Sequence, residues 1–167
     1  MYKIGIIGHS PENFSIPSKE TVKNMINDTI SLLASQYNTD VIFNIIGEIG
    51  VGLWAVEEVL NIKGAHKYHI YLPFTQEITS EDWYDEQKEL LKKGCDNARS
   101  ITICNSKKTP QDEQPYRPLI QDSNFIIYFW NGKKQGKTFD AIKYALETNK
   151  MALNALNDLK LITNKNI

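Results

Sequence analysis

The stretch DVIFNIIGEIGVGLWAVEEVLNI, residues 40–62, decides the fold. Asp40 to Ile46 is a short apolar run, the signature of a buried strand. The loop GEIGVG follows at residues 47–52. Leu53 to Ile62 is then apolar at Leu53, Trp54, Val56, Val59 and Leu60, the spacing of a helix face. Strand, glycine loop and helix in succession are the repeating unit of a parallel α/β sheet.

The same alternation continues in both directions. Tyr2 to Gly8 (YKIGIIG) reads as a strand ending in a Gly/Pro/Asn loop. Ser18 to Tyr37 reads as a helix with Ser18 as N-cap and Val22, Met25, Ile26, Ile30 and Leu33 at helical spacing. Tyr68 to Pro73 is a third strand. Ser80 to Lys93 is a helix, opened by Ser80, Glu81 and Asp82 and closed by Lys92, Lys93 and Gly94. Ser100 to Cys104 is a fourth strand, and Asn105 to Pro118 a polar loop with three prolines. Asn124 to Trp130 is a fifth strand, and Thr138 to Thr148 a helix. Met151 to Leu156 reads as a sixth, edge strand, with a C-terminal helix as the alternative because MALNALNDL is rich in helix formers. Right-handed crossovers then predict an α/β fold: a single Rossmann-like three-layer domain over residues 1–167. Its sheet is mainly parallel, of about six strands, with helices on both faces.

Composition narrows the function classes. With 19 Lys+Arg against 20 Asp+Glu the net charge is −1, so no basic field covers the whole surface and nucleic-acid binding is not expected. The run Lys133, Lys134, Lys137 and Lys143 reads as a solvated face. Two cysteines are too few for a disulfide framework, and Cys104, between apolar neighbours, reads as a buried thiol. His9, His66 and His69 lack metal-ligand spacing, so neither a metal nor a cofactor is expected. The N-terminal apolar run is too short for a signal peptide, and no stretch approaches the ~18–20 residues of a membrane span. A cytoplasmic protein without membrane contact is the expectation.

Only nine residues are glycine, and their placement matters more than their number. Gly8, then Gly47, Gly50 and Gly52, then Gly132 and Gly136 all follow predicted strands. Such glycines can simply make tight turns. Three clusters at one sheet edge instead suit a ligand that approaches the backbone closely. The last two clusters run into helices, whose N-termini favour a phosphate or carboxylate. The segment WNGKKQGKT, residues 130–138, has the flavour of a P-loop but encloses only three residues between Gly132 and Gly136, where that motif needs four. It reads as an anion-binding turn built on Gly136, Lys137 and Thr138.

In order and spacing, GHSPENF, GEIGVGLWAVEEV, LPF with a downstream Trp83, and YRPLIQDSNFIIYFWNGKKQGKTFDAIKYA resemble the SLOG superfamily. This is the Rossmann-like group related to LOG phosphoribohydrolases and the DprA core, and the likeness is strongest to its DUF1273-like small bacterial subgroup. The resemblance spans almost the whole chain. It implies a nucleotide-derived ligand bordered by Gly8, His9 and Ser10. Gly47, Glu48 and Gly50 would approach its ribose or phosphate. Gly132, Gly136, Lys137 and Thr138 would hold phosphate, with Asn131 also at the ligand, and Trp54, Phe74 and Trp83 are candidates for stacking on a base, Trp54 reading equally as core. It also implies a homo-oligomer.

Departures from the family's pattern bear on catalysis. LOG enzymes carry P-G-G-x-G-T-x-x-E, whereas Ala141 stands three positions after Thr138 and Lys137 replaces one glycine. Gly52 and Leu53 stand where an acidic residue is usual, and Asn124 replaces an Asp. The first expectation is therefore binding or sensing of a nucleotide-derived molecule, such as ADP-ribose, an NAD-derived compound or a nucleoside phosphate. The alternative is an N-glycosidic-bond enzyme, a phosphoribohydrolase or deoxyribosyltransferase, using Glu48 as its carboxylate with Glu12 in reserve. Arg117 either clamps a phosphate or pairs with an acidic neighbour.

Overall fold

Strand β2, Val41–Ile46, is buried at every position, as expected of a central strand covered on both faces. In the computed structural model, which describes residues 1–37, 41–62, 67–109, 112–157, 160–165 and 167, it lies near the middle of one sheet. Asp40, the expected first residue of this strand, lies outside the described residues. The other strands are β1 (Tyr2–Gly8), β3 (Lys67–Leu72), β4 (Ser100–Ile103), β5 (Phe125–Phe129), β6 (Met151–Asn154) and β7 (Lys160–Leu161). Their order is β4-β3-β2-β1-β5-β6-β7. The first six are parallel, and β7 pairs antiparallel with β6.

Alternation along each strand divides the core in two. Ile4, Ile6, Phe43, Ile45, Ile70 and Leu72 face one side, with Val22, Ile26 and Ile30 of helix α1 (Lys19–Tyr37) and Val56 and Val59 of α2 (Val51–Asn61). Leu91 and Cys95 of α4 (Asp85–Asn97) complete that layer. Ile7, Ile46, Tyr71, Ile126 and Tyr128 face the other side, beneath α5 (Tyr116–Asp122) and α6 (Lys137–Glu147). Helices on both faces of a parallel sheet make the three-layer Rossmann-like fold. Asn44 is the polar exception within β2. Its amide donates to Ser123 Oγ at 2.9 Å, and that hydroxyl donates to Leu119 O, tying the strand to the end of α5.

Ser18 caps α1 as expected, accepting from the Thr21 N–H. Met151–Asn154 is a strand and not a helix, but β7 lies outside it, so it is not the sheet's edge. The helix expected over Ser80 to Lys93 starts later and runs on to Asn97, with a separate helical turn before it. A four-residue turn of helix, α3 (Gln76–Thr79), is capped by Thr75, and α4 begins only at Asp85. Between them Trp83 packs inward, its N–H bonded to Ser80 O. Nor does Gly94 end α4. It sits inside the helix where a Cβ would come within 2.6 Å of Val56 Cγ1, so it is the small residue that lets α4 approach α2. Helix α5 begins inside the segment Asn105 to Pro118 that reads as loop. Pro118 is its third residue, where a missing N–H costs nothing, while Tyr116, Leu119 and Ile120 are buried. Cys95, not Cys104, is the fully buried thiol, because Cys104 follows the edge strand β4.

Gly52, in the first turn of α2, is fixed by packing. A Cβ there would lie 2.0 Å from Ile46 O, a backbone atom that cannot move without breaking the sheet. Gly52→Ala should destabilise the chain by about 1–3 kcal/mol, despite alanine's better helix propensity, as read from the urea denaturation midpoint.

Candidate functional site

The chain changes direction at β1, whose neighbours are β2 and β5, so the crevice outside its carboxyl end is the switch point of the sheet. A cavity of about 580 Å³ opens there. The loops after β1, β2, β3 and β5 all contribute to its wall. Such a volume suits a small-molecule ligand.

Backbone contact brings the first two loops together. Gly50, with φ +105°, lies so near the first loop that a Cβ would be 2.4 Å from His9 O. The Val51 N–H donates to that same carbonyl at 3.2 Å. Gly8 in turn faces the Val51 side chain with no room for a Cβ. The fifth strand's loop is joined to the first by side chains. His9 Nε2 accepts from the Asn131 N–H at 3.3 Å, and Asn131 Nδ2 donates to Asn13 O. Asn154 extends β5 by one residue, its amide bonding both the N–H and the carbonyl of Trp130. Beyond it, Gly132 and Gly136 both take φ +85° with open space around them, so conformation and not crowding requires glycine.

The turn delivers α6 to the cavity. Gly136 is its N-cap and offers no side chain to the first turn, whose amides no cap residue covers, and Gly136, Lys137 and Thr138 line the cavity. Glu48 faces this pole from the second loop. Its side chain is 35% exposed, through the cavity, and its Oε1 lies 3.9 Å from Lys137 Nζ. Surrounding protein removes water from the carboxyl and raises its pKa above the ordinary range, while Lys137 opposes the rise. Phe74, Ile78 and Trp83 form the other end of the cavity, with Glu81, Asp82 and Lys108 at its rim. Glu81 pairs with Lys108. A second chamber of about 30 Å³ adjoins Glu48 and Thr138 and is lined by Gln114, Tyr116 and Ala141.

Of the residues expected from the sequence, Gly8, His9, Ser10, Glu48, Trp83, Gly136, Lys137 and Thr138 line the cavity, as does Phe74. Five others do not. Gly47 is packed beneath Leu72, and its N–H continues the pairing to Tyr71 O. Gly50 is occupied by the loop contact, and Asn131 and Gly132 shape the turn. Arg117, expected either to clamp a phosphate or to pair with an acid, lies outside the cavity lining with its guanidinium over the Tyr144 ring at 5.2 Å, and it makes no ion pair among the described residues. Trp54 packs on Phe14 and belongs to the core side. Glu12 stays outside the cavity and accepts the Ser10 hydroxyl proton at 2.6 Å. Gly52, a member of the second glycine cluster, lines it as well, as do Ile49, Ile78, Glu81, Asp82, Lys108 and Gln135, which the sequence does not single out as ligand neighbours. A β3 loop rich in aromatic and acidic residues was the available signal for the Glu81–Asp82 corner.

The geometry fixes the charge state of His9. A ring nitrogen that accepts from Asn131 cannot carry a proton, and burial is the main cause of a pKa below the usual 6.5. Because the folded pKa is the lower one, the unfolded chain takes up the proton first, and stability falls as pH drops below about 6.5. His69, also lowered by burial, acts in the same direction, while Glu48, raised in the folded state, acts oppositely at lower pH. Denaturation midpoints measured from pH 7.5 to 5.5 should decline, and His9→Gln, which keeps an acceptor without titrating, should flatten part of the decline.

Among the described residues, no helix is long and apolar enough to cross a membrane. The family model described as the YspA SLOG family matches residues 4–166. No curated protein matches. A solved structure, that of the Chlamydomonas rheinhardtii Moco Carrier Protein, is similar with a TM-score of 0.54 at 15% identity, covering 92% of this chain and 74% of that one. At that identity the likeness concerns the fold.

Proposed function

We propose, for a chain that belongs to the YspA SLOG family, that it binds or senses a nucleotide-derived small molecule at the carboxyl ends of its strands. One observation carries the reading. A single cavity joins an anion pole, made of the first turn of α6 with Lys137 and Thr138, to an aromatic pole of Phe74 and Trp83. A phosphate at the first and a heterocycle at the second would be held by backbone dipole, charge and stacking together. The solved neighbour of the same fold is itself called a carrier protein. ADP-ribose, NAD-derived compounds and nucleoside phosphates are the classes to examine.

Isothermal titration against these compounds should show saturable heat with at least one of them. Lys137→Ala should weaken the binding about tenfold or more, the scale of a lost charge-assisted contact, and raised salt should weaken the wild type in the same direction. Absence of heat with every compound would sink the reading.

Glu48 supports a second reading, cleavage of an N-glycosidic bond. Its carboxyl is desolvated, faces the cavity and receives no hydrogen bond among the described residues, the environment of a poised acid or base. Ala141, standing where LOG enzymes carry a glutamate, lines the small chamber beside it. On this reading the wild type should release free base from a nucleoside monophosphate, detected by chromatography. Glu48→Gln should lose at least a hundredfold in rate while keeping its affinity. Equal turnover by the two proteins would exclude Glu48 from the chemistry.

A further inference from the structure

The charges around the cavity are unevenly placed. Glu48 and Lys137 offset one another at the α6 pole, leaving the helix amides as the local positive source. At the aromatic pole Lys108 offsets Glu81, and Asp82, exposed at the rim, has no ion-pair partner among the described residues. Two carboxylates against one lysine leave one unbalanced negative charge lining the cavity together with Phe74 and Trp83. Two aromatic faces with a free carboxylate are a favourable setting for a cation, which the rings attract through their quadrupole and the carboxylate through its charge. Polyphosphates fit this arrangement poorly. The cavity has three carboxylates, Glu48, Glu81 and Asp82, against two lysines, and a second phosphate would have to approach them without a further cation.

Spacing limits the ligand as well. The loops after β3 and β5 are separated by β2 and β1, which is three strand spacings of about 4.8 Å, or about 14 Å between strand ends. Side chains reach inward from both, so one phosphate, one sugar and one ring span the gap. We propose that the ligand is a mononucleotide-like zwitterion, with a single phosphate on the α6 turn and a positively charged planar ring between Phe74, Trp83 and Asp82. The proposal rests on the reading of α6 as the anion pole and adds the charge of the far end.

Oxidised and reduced nicotinamide mononucleotide test it directly. They share phosphate and ribose, but only the oxidised ring is a cation. In calorimetric titrations of the full chain the oxidised form should bind at least fivefold more tightly. Asp82→Asn, at an exposed position, should bring the ratio of the two affinities towards one. Equal binding of the two forms, or ADP-ribose binding more tightly than either, overturns the cationic-ring assignment while leaving the anion pole in place. No binding of either form or of ribose 5-phosphate overturns the anion pole and the proposal with it.

Discussion

The site depends on the contact of two backbones, Gly50 against His9 and Ser10. A side chain at position 50 would meet His9 O at 2.4 Å and Ser10 Cα at 2.8 Å, and the residue sits at φ +105°, where L side chains are strained. Space and conformation therefore both demand glycine. With the contact made, Val51 N–H reaches His9 O and α2 starts at a fixed angle to the first loop. The cavity wall formed by Glu48, Ile49 and Gly52 is positioned as a consequence. Were the two loops held apart by a Cβ, Glu48 would lose its place opposite Lys137.

A second layer of attachment is made by side chains that imitate backbone. Asn154 pairs with both polar groups of Trp130, His9 accepts from Asn131, and Asn105 donates to Pro73 O while accepting from Glu113 N–H. Each satisfies main-chain groups beyond the last ladder bond of a strand, where an unpaired buried group costs about 1–3 kcal/mol. The loops around the cavity are thus extensions of the sheet. This separates duties by residue. Asn131, Gly132 and Gly50 hold geometry, which leaves Lys137, Thr138 and Trp83 free to meet a ligand.

Much of this was legible in the sequence where a residue's role is local. Apolar runs of strand length, helical spacing in α1, the Ser18 cap and the glycines after β1, β2 and β5 each follow from nearby residues. What escaped depends on distant partners. Gly94 resembles a helix stop after two lysines, and only the approach of α2 makes it an interior packing residue. Arg117 has the charge for a phosphate clamp, but Tyr144, 27 positions later, captures its guanidinium. Prolines at 115 and 118 read as loop because their place in a first turn is visible only once Tyr116, Leu119 and Ile120 are seen to be buried. The glycines showed where the crevice lies, but not which of them border it, because Gly8 and Gly47 occupy equivalent strand ends and differ only in what packs above them.

The electrostatics follow from the same architecture. Parallel strands direct every βα turn to one end of the sheet, so the first turn of α6 and the carboxylates of the β2 and β3 loops are gathered at one crevice. A net charge of −1 therefore says little about the site. Within the cavity, positive potential comes from fixed peptide dipoles and two lysines, Lys108 and Lys137, and negative potential from side chains that can titrate or pair. A dipole held by backbone geometry needs no reorganisation when an anion arrives, whereas Glu48 must stay desolvated and pressed against Lys137. Were an anion to bind on the α6 turn and draw Lys137 away from Glu48, the carboxyl, losing its paired cation, would hold a proton more readily. Occupancy of the anion pole and protonation of Glu48 are thereby linked through one side chain.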